Sequence, residues 1–204
     1  VDGIVKPNQW PSPSVLQALP KIVLDEEHIM DLEQIAIGTF SPIDGFMKED
    51  DVHSVLDRMQ LADGTIWPLP IVLDISEEKI KELEGKKDVA LCDEQGTILG
   101  LLSVEQIYRV HLLEMASKMY GTIDQKHPGI KRVLSYAPYF VGGKITLLQR
   151  KAREHKGYEL TPRQARAIFE DRGWAKVVGF HTRNVIHRSH EFIQLKALEQ
   201  EHCD

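Results

Sequence analysis

The chain has 204 residues, 42% hydrophobic and 27% charged, with a net charge of −6. This is ordinary globular usage, enough for a core in one or two domains, and no apolar stretch approaches the ~20 residues of a membrane helix. The acidic balance, without any Lys/Arg run, weighs against non-specific nucleic-acid binding. Cys92 and Cys203 have neither metal-like spacing nor a disulfide framework, so a reducing, cytoplasmic setting is expected. The start, Val1–Pro7, lacks the basic-then-apolar pattern of a secretory leader.

In chain order, Pro7, Pro11, Pro13 and Pro20 predict an extended, irregular opening that packs through Trp10, Val15 and Leu16. Leu24, Ile29, Leu32 and Ile35 suit a helix capped by Asp25. A loop punctuated by glycine and proline, Gly38–Met47, separates it from a helix over Asp51–Leu61. Ile66–Ile75 reads as a strand, with Pro68 and Pro70 marking an edge or a bend. Ser76 caps a short helix to Leu83, and Asp88–Cys92 with Thr97–Leu102 forms a hairpin. The amphipathic pattern of Ile107, Val110, Leu113 and Met115 predicts a helix over Val104–Met119, stopped by Gly121. Val141–Leu148 reads as a strand entered through the pair Gly142-Gly143.

Glu154–Gly157 is polar enough for a linker, which divides the chain into residues 1–155 and 156–204. Beyond it, Thr161-Pro162-Arg163-Gln164 is a capping box for a helix ending at Arg172 and Gly173. Ala175–Phe180 reads as a strand, and the chain then turns polar and helical through His181-Thr182-Arg183-Asn184-Val185-Ile186-His187-Arg188-Ser189-His190. Strand, loop and helix N-terminus in that order form an oxyanion site, with donors converging on one point. His187 and His190 are spaced to share a helical face, beside Arg183 and Asn184. A zinc reading lacks a third ligand, since Glu191 lies off that face, and no protein-bound metal is expected. His127-Pro128-Gly129 reads as a turn rather than a catalytic loop, and Glu26-Glu27 and Glu77-Glu78 as solvated helix faces.

The stretch His181–His190 resembles the Gln-Thr-Arg-Asn-Pro-x-His-x-x-His signature of ATP sulfurylases. The likeness continues upstream through Phe40-Ser41-Pro42, Gly45-Phe46-Met47, Asp63-Gly64, Trp67-Pro68, Gly121-Thr122, His127-Pro128-Gly129, Val141-Gly142-Gly143 and Thr161-Pro162 to Arg172-Gly173-Trp174. It therefore covers nearly the whole chain in order. It implies a β-rich, PUA-like N-terminal domain followed by the beginning of a Rossmann-like α/β nucleotidyltransferase domain.

The resemblance implies conversion of ATP and sulfate to adenylyl sulfate and pyrophosphate, with Mg2+ on the nucleotide, in a homo-oligomer that needs neither nucleic acid nor membrane. Sulfate would meet His181 and Arg183. ATP would meet His181, Thr182, Arg183, Asn184, His187 and His190, with Thr182, Arg183, Asn184, His187 and His190 serving catalysis. Two positions depart from the signature. His181 replaces the family's glutamine, exchanging an amide for an imidazole, and Val185 replaces its proline, restoring an N–H to the loop. The family's catalytic domain also continues to a Gly-Arg-Asp-His-type motif that this chain lacks, so the chain alone is expected to be an inactive fragment. The alternative reading is a non-catalytic PUA-like binding or regulatory module.

Overall fold

A computed structural model describes residues 4–154 and 156–204. His155, within the expected linker, and the first three residues lie outside the described set. The chain forms two compact units, one ending at Lys156 and one spanning Gly157–Asp204.

The first unit opens with a single 3-10 turn at Pro7–Gln9 and a short helix α1, Pro13–Ala18, where the prolines had predicted irregular chain. Pro13 sits in the first turn, where its missing N–H is harmless, and the Ser12 hydroxyl accepts from Val15 N. Leu16 is buried and the Trp10 indole donates to Val5 O at 3.3 Å, but Val15 faces solvent. Strand β1, Lys21–Val23, leads to α2, Glu26–Ala36, where the Asp25 carboxylate accepts from His28 N at 2.9 Å. After the loop come β2, Gly45–Phe46, and α3, Glu49–Arg58, which ends when Met59 turns left-handed.

The strand expected over Ile66–Ile75 survives only as β3, Asp74–Ile75, beyond a bridge between Gln60 and Ile66. Pro68 and Pro70 cannot donate to a ladder, so the intervening chain is held by single contacts such as Met47 N to Ile71 O at 2.9 Å. Helix α4, Glu77–Leu83, is capped by Ser76, and the hairpin forms as β4, Asp88–Cys92, and β5, Ile98–Arg109.

The largest correction falls on β5. Residues 104–109, expected to begin a helix, continue the strand, and the helix α5 occupies only Leu112–Tyr120. Val104, Ile107 and Tyr108 are β-branched or aromatic and pair with β6, Tyr139–Leu147, more than thirty residues away. Gly121 does end α5, at φ 66°. His127 caps α6, Pro128–Leu134, accepting from Gly129 N.

The strands form one six-stranded sheet in the order β1-β4-β5-β6-β2, with β3 also on β6; β1–β4 is parallel and the other pairs are antiparallel. Helix α2 packs on β6, α5 on α6 and α3 on α5. The core runs between them through Leu32, Leu102, Phe140 and Leu147. The pair Gly142-Gly143 lies inside β6 rather than at its entry, opposite a bulge where Val104 pairs with Gly143 and Gln106 with Gly142. The extra residue, Glu105, reaches Lys48 Nζ at 2.9 Å, and the buried Tyr108 hydroxyl donates to Met47 O at 2.7 Å.

A charged cluster joins α2 to β3 and α6. His28 is buried between Asp25 Oδ1 at 2.9 Å and Asp74 Oδ1 at 3.4 Å, while Arg132 reaches Asp25 and Glu27 at 2.7 Å each. Asp31, half-buried on the same helix, has its carboxyl pushed up to about 6, first by burial and then by Glu27 and Asp25, with Arg132 opposing. An acid whose folded value is raised destabilises the fold above that value, and the penalty fades as pH falls toward the ordinary Asp range. Asp31→Asn is therefore expected to add about 1–2 kcal/mol of stability near pH ~7.5, after discounting for solvent screening, and progressively less toward pH ~4. Urea unfolding at both pH values measures the difference.

In the second unit, the Thr161 box forms: Thr161 N donates to Gln164 Oε1 at 2.9 Å, and Gln164 N to Thr161 Oγ1 at 3.3 Å. It starts α7, Pro162–Arg172, which Gly173 ends at φ 67°. The expected strand Ala175–Phe180 is absent, because no strand of the second unit lies beside it to complete a ladder among the described residues. Ala175 N and Lys176 N instead donate to Asp204 Oδ2 at 2.6 and 2.9 Å. The last helix, α8, spans Arg188–Glu201.

Candidate functional site

The site is built by the chain between α7 and the first turn of α8. Trp174 leaves α7 against the Phe169 ring, 5.9 Å between centroids, with the Arg172 guanidinium 4.9 Å over its own ring. The chain runs on to Phe180 and then tightens. Asn184 N donates to Thr182 Oγ1 at 3.0 Å, and that hydroxyl lies 3.5 Å from Asn184 O. The Thr182 side chain thus shapes the loop by a local turn that competes with regular structure.

Helix α8 begins differently from the sequence expectation. His187 is its N-cap, in extended conformation at φ −143° and ψ 176°, and only His190 stands within the helix. The two residues make a reciprocal capping box, the positions that serine and glutamate commonly fill. Ser189 N donates to His187 Nδ1 at 3.3 Å, and His187 N donates to His190 Nδ1 at 3.4 Å. Their rings stack with centroids 3.9 Å apart at 32°. A ring nitrogen that accepts from a backbone N–H carries no proton, so in this arrangement each neutral imidazole holds its hydrogen on Nε2. The backbone thereby selects the tautomer, and among the described residues neither Nε2–H has a hydrogen-bond partner.

These groups border a shallow hollow of about 480 Å³ lined by Phe180, His181, Thr182, Arg183, Asn184 and His190. The Phe180 ring lies 5.6 Å from that of His190. His187 is not part of the lining; it meets the hollow through the ring of His190. Arg183 is exposed, and among the described residues its guanidinium makes no ion pair. Val185 and Ile186 are 89% and 57% exposed and do not line the hollow. Five of the six residues singled out from the sequence are thus gathered on one surface, with the sixth stacked behind. Phe180 was not singled out; the signal for it was its place as the last apolar residue before the polar loop.

The chemistry is that of an oxyanion receptor: one guanidinium, two imidazoles and an amide, while the N–H groups of His187 and Ser189 are taken up by the cap. No carboxylate lines it, and no group of three or more metal-type side chains gathers among the described residues. The donor set therefore fits phosphate or sulfate oxygens rather than a bare cation. Among the described residues, no helix is long and apolar enough to cross a membrane.

Comparison with known proteins follows this division of the chain. The PUA-like domain family matches residues 9–150, and the ATP-sulfurylase family matches residues 156–204. The chain belongs to the PUA-like domain family, with an ATP-sulfurylase segment carrying the hollow. A sulfate adenylyltransferase of Synechococcus sp. (strain JA-3-3Ab) is 42% identical over 181 residues, which are 88% of this chain and 46% of that protein. A second, of Symbiobacterium thermophilum, is 40% identical over 181 residues, 89% of this chain and 46% of its own. The chain thus spans about half the length of the curated relatives it matches. Among solved structures, the hexameric APS kinase from Thiobacillus denitrificans superposes with a TM-score of 0.73 at 23% identity, over 98% of this chain and 36% of that one. That likeness concerns the fold.

Proposed function

We propose that the chain supplies one wall of a sulfate adenylyltransferase active site, in a protein dividing at residues 1–155 and 156–204. The observation that carries the reading is the hollow at the start of α8, where Arg183, Asn184 and His190 converge in a segment that matches ATP sulfurylases. ATP arrives as its magnesium complex, the metal being part of the substrate, since the hollow offers N–H donors and no carboxylate. A sulfate oxygen attacks the α-phosphorus in line; the new S–O–P bond forms as the bond to pyrophosphate breaks. Such a reaction needs positioning and charge stabilisation more than covalent chemistry from the protein.

In this reading the Arg183 fork and His181 hold sulfate, a dianion suited to paired N–H donors. Thr182 keeps the loop turned so that Asn184 orients the reacting groups. His190, with His187 behind it, presents Nε2–H to the ATP phosphates. The exposed apolar side chains of α8, Phe192, Ile193 and Leu195, are consistent with packing against the half of the relatives' length that this chain does not span. The complete protein is proposed to be a cytoplasmic homo-oligomer independent of nucleic acid and membrane.

The test is sulfate-dependent pyrophosphate release from MgATP, by the chain alone and by the chain joined to the remaining half of the Synechococcus relative. The chain alone is expected to be indistinguishable from its His187→Ala variant, and the joined protein active. Arg183→Ala in the joined protein is expected to lower turnover about 10²–10³-fold, the effect of removing one preorganised donor. An active Arg183→Ala protein would sink the proposal. Salt-dependent RNA binding without anion binding would favour the non-catalytic module instead.

A further inference from the structure

Residues 148–154, which follow β6, form neither helix nor strand, yet they are tied down. Glu33 of α2 has only 5% of its side chain exposed. Its carboxylate accepts from Arg150 Nε at 3.0 Å, from Lys151 N at 2.9 Å and from Lys156 Nζ at 2.9 and 3.0 Å. Two helical turns earlier, Glu26 takes Lys151 Nζ and Arg153 Nη2. Residues seven apart lie on one helical face, so α2 offers an inner and an outer carboxylate to the same strap of chain. The outer one is 64% exposed.

We propose that Glu33 is a latch: it clamps Arg150, Lys151 and Lys156 onto α2, so that this strap at the end of the first unit is held against the unit's own helix. Glu26 only trims the outer edge. The physical argument is the difference in burial. A pair with an exposed carboxylate is screened and weak, whereas the buried Glu33 carboxylate is screened little, and removing it leaves its half-buried cations uncompensated. The carboxyl of Glu33 is pushed up by burial, but the hydrogen bond from Lys156 and that from the Lys151 amide more than offset this and hold it below the usual glutamate range. The proposal is independent of the adenylyltransferase reading, since it concerns residues of the first unit alone.

Amide exchange and limited trypsin digestion of the intact 204-residue chain test it. In Glu33→Gln, exchange at the Lys151 amide and cleavage after Lys151, Arg153 and Lys156 are expected to quicken about tenfold or more, with β5 and β6 amides unchanged. Glu33→Asp should fall between, and Glu26→Gln should change both rates about twofold at most. The latch is overturned if Glu33→Gln leaves the strap within about twofold of wild type. It is overturned equally if sheet amides quicken in parallel, for Glu33 would then stabilise the whole unit. An effect of Glu26→Gln as large as that of Glu33→Gln would refute the ranking by burial.

Discussion

His187→Asn in the joined protein is expected to lower sulfate-dependent turnover about 10²-fold, by loosening the His190 ring, while leaving the start of α8 intact. The two halves of that expectation rest on different parts of the imidazole. The asparagine Oδ1 stands where His187 Nδ1 accepts from Ser189 N, and asparagine is among the best N-caps, so the helix keeps its first turn. Nothing replaces the imidazole ring that stacks behind His190, 3.9 Å between centroids, where His190 lines the hollow. His187→Ala removes both, and should add about 0.5–2 kcal/mol of destabilisation to the same loss of turnover. Exchange at the Ser189 amide reads the cap, and pyrophosphate release reads the ring behind His190. An active His187→Asn protein would show that the stacked ring does not position His190, and that role for His187 would fall.

The second large effect lies in the sheet. Gly143 has φ 154°, and a Cβ added there would sit 2.0 Å from Ser103 O and 3.1 Å from Ser103 C. Both are backbone atoms of β5, so no side chain swings aside to relieve the clash; the β5–β6 pairing itself must shift at the Glu105 bulge. Gly143→Ala is expected to cost about 3 kcal/mol or more, from overpacking and backbone strain together. Gly45→Ala meets the same wall from the other side, its Cβ 1.9 Å from Gly143 O. Gly179→Ala, with nothing within 4 Å, should stay within about 0.5 kcal/mol of wild type. Urea denaturation of the three variants gives the ranking, and a Gly143→Ala protein as stable as Gly179→Ala would refute the close approach.

What was legible in the sequence was local. Asp25, Ser76 and Thr161 announce helix starts because each cap is a hydrogen bond over two or three residues, closed before any tertiary contact forms. Gly121 and Gly173 announce ends for a similar reason, needing only a left-handed backbone. The hairpin of β4 and β5 closes over a short turn. The candidate site was legible too, since the residues from His181 to His190 are contiguous and no distant element is needed to assemble them on one surface.

What only the tertiary structure decided depends on partners far along the chain. Residues 104–109 carry an amphipathic pattern that serves a helix or a half-buried strand, and β6 settles it by pairing. Residues 66–73 are rich in strand formers, but Pro68 and Pro70 deny them a ladder. Ala175–Phe180 has the composition of a strand and no strand beside it in its unit. At the site itself, the sequence determined which donors are present. The fold decided that His187 caps rather than extends α8, and that backbone N–H groups occupy both Nδ1 atoms, because ring orientation follows from hydrogen bonds that composition and spacing do not encode.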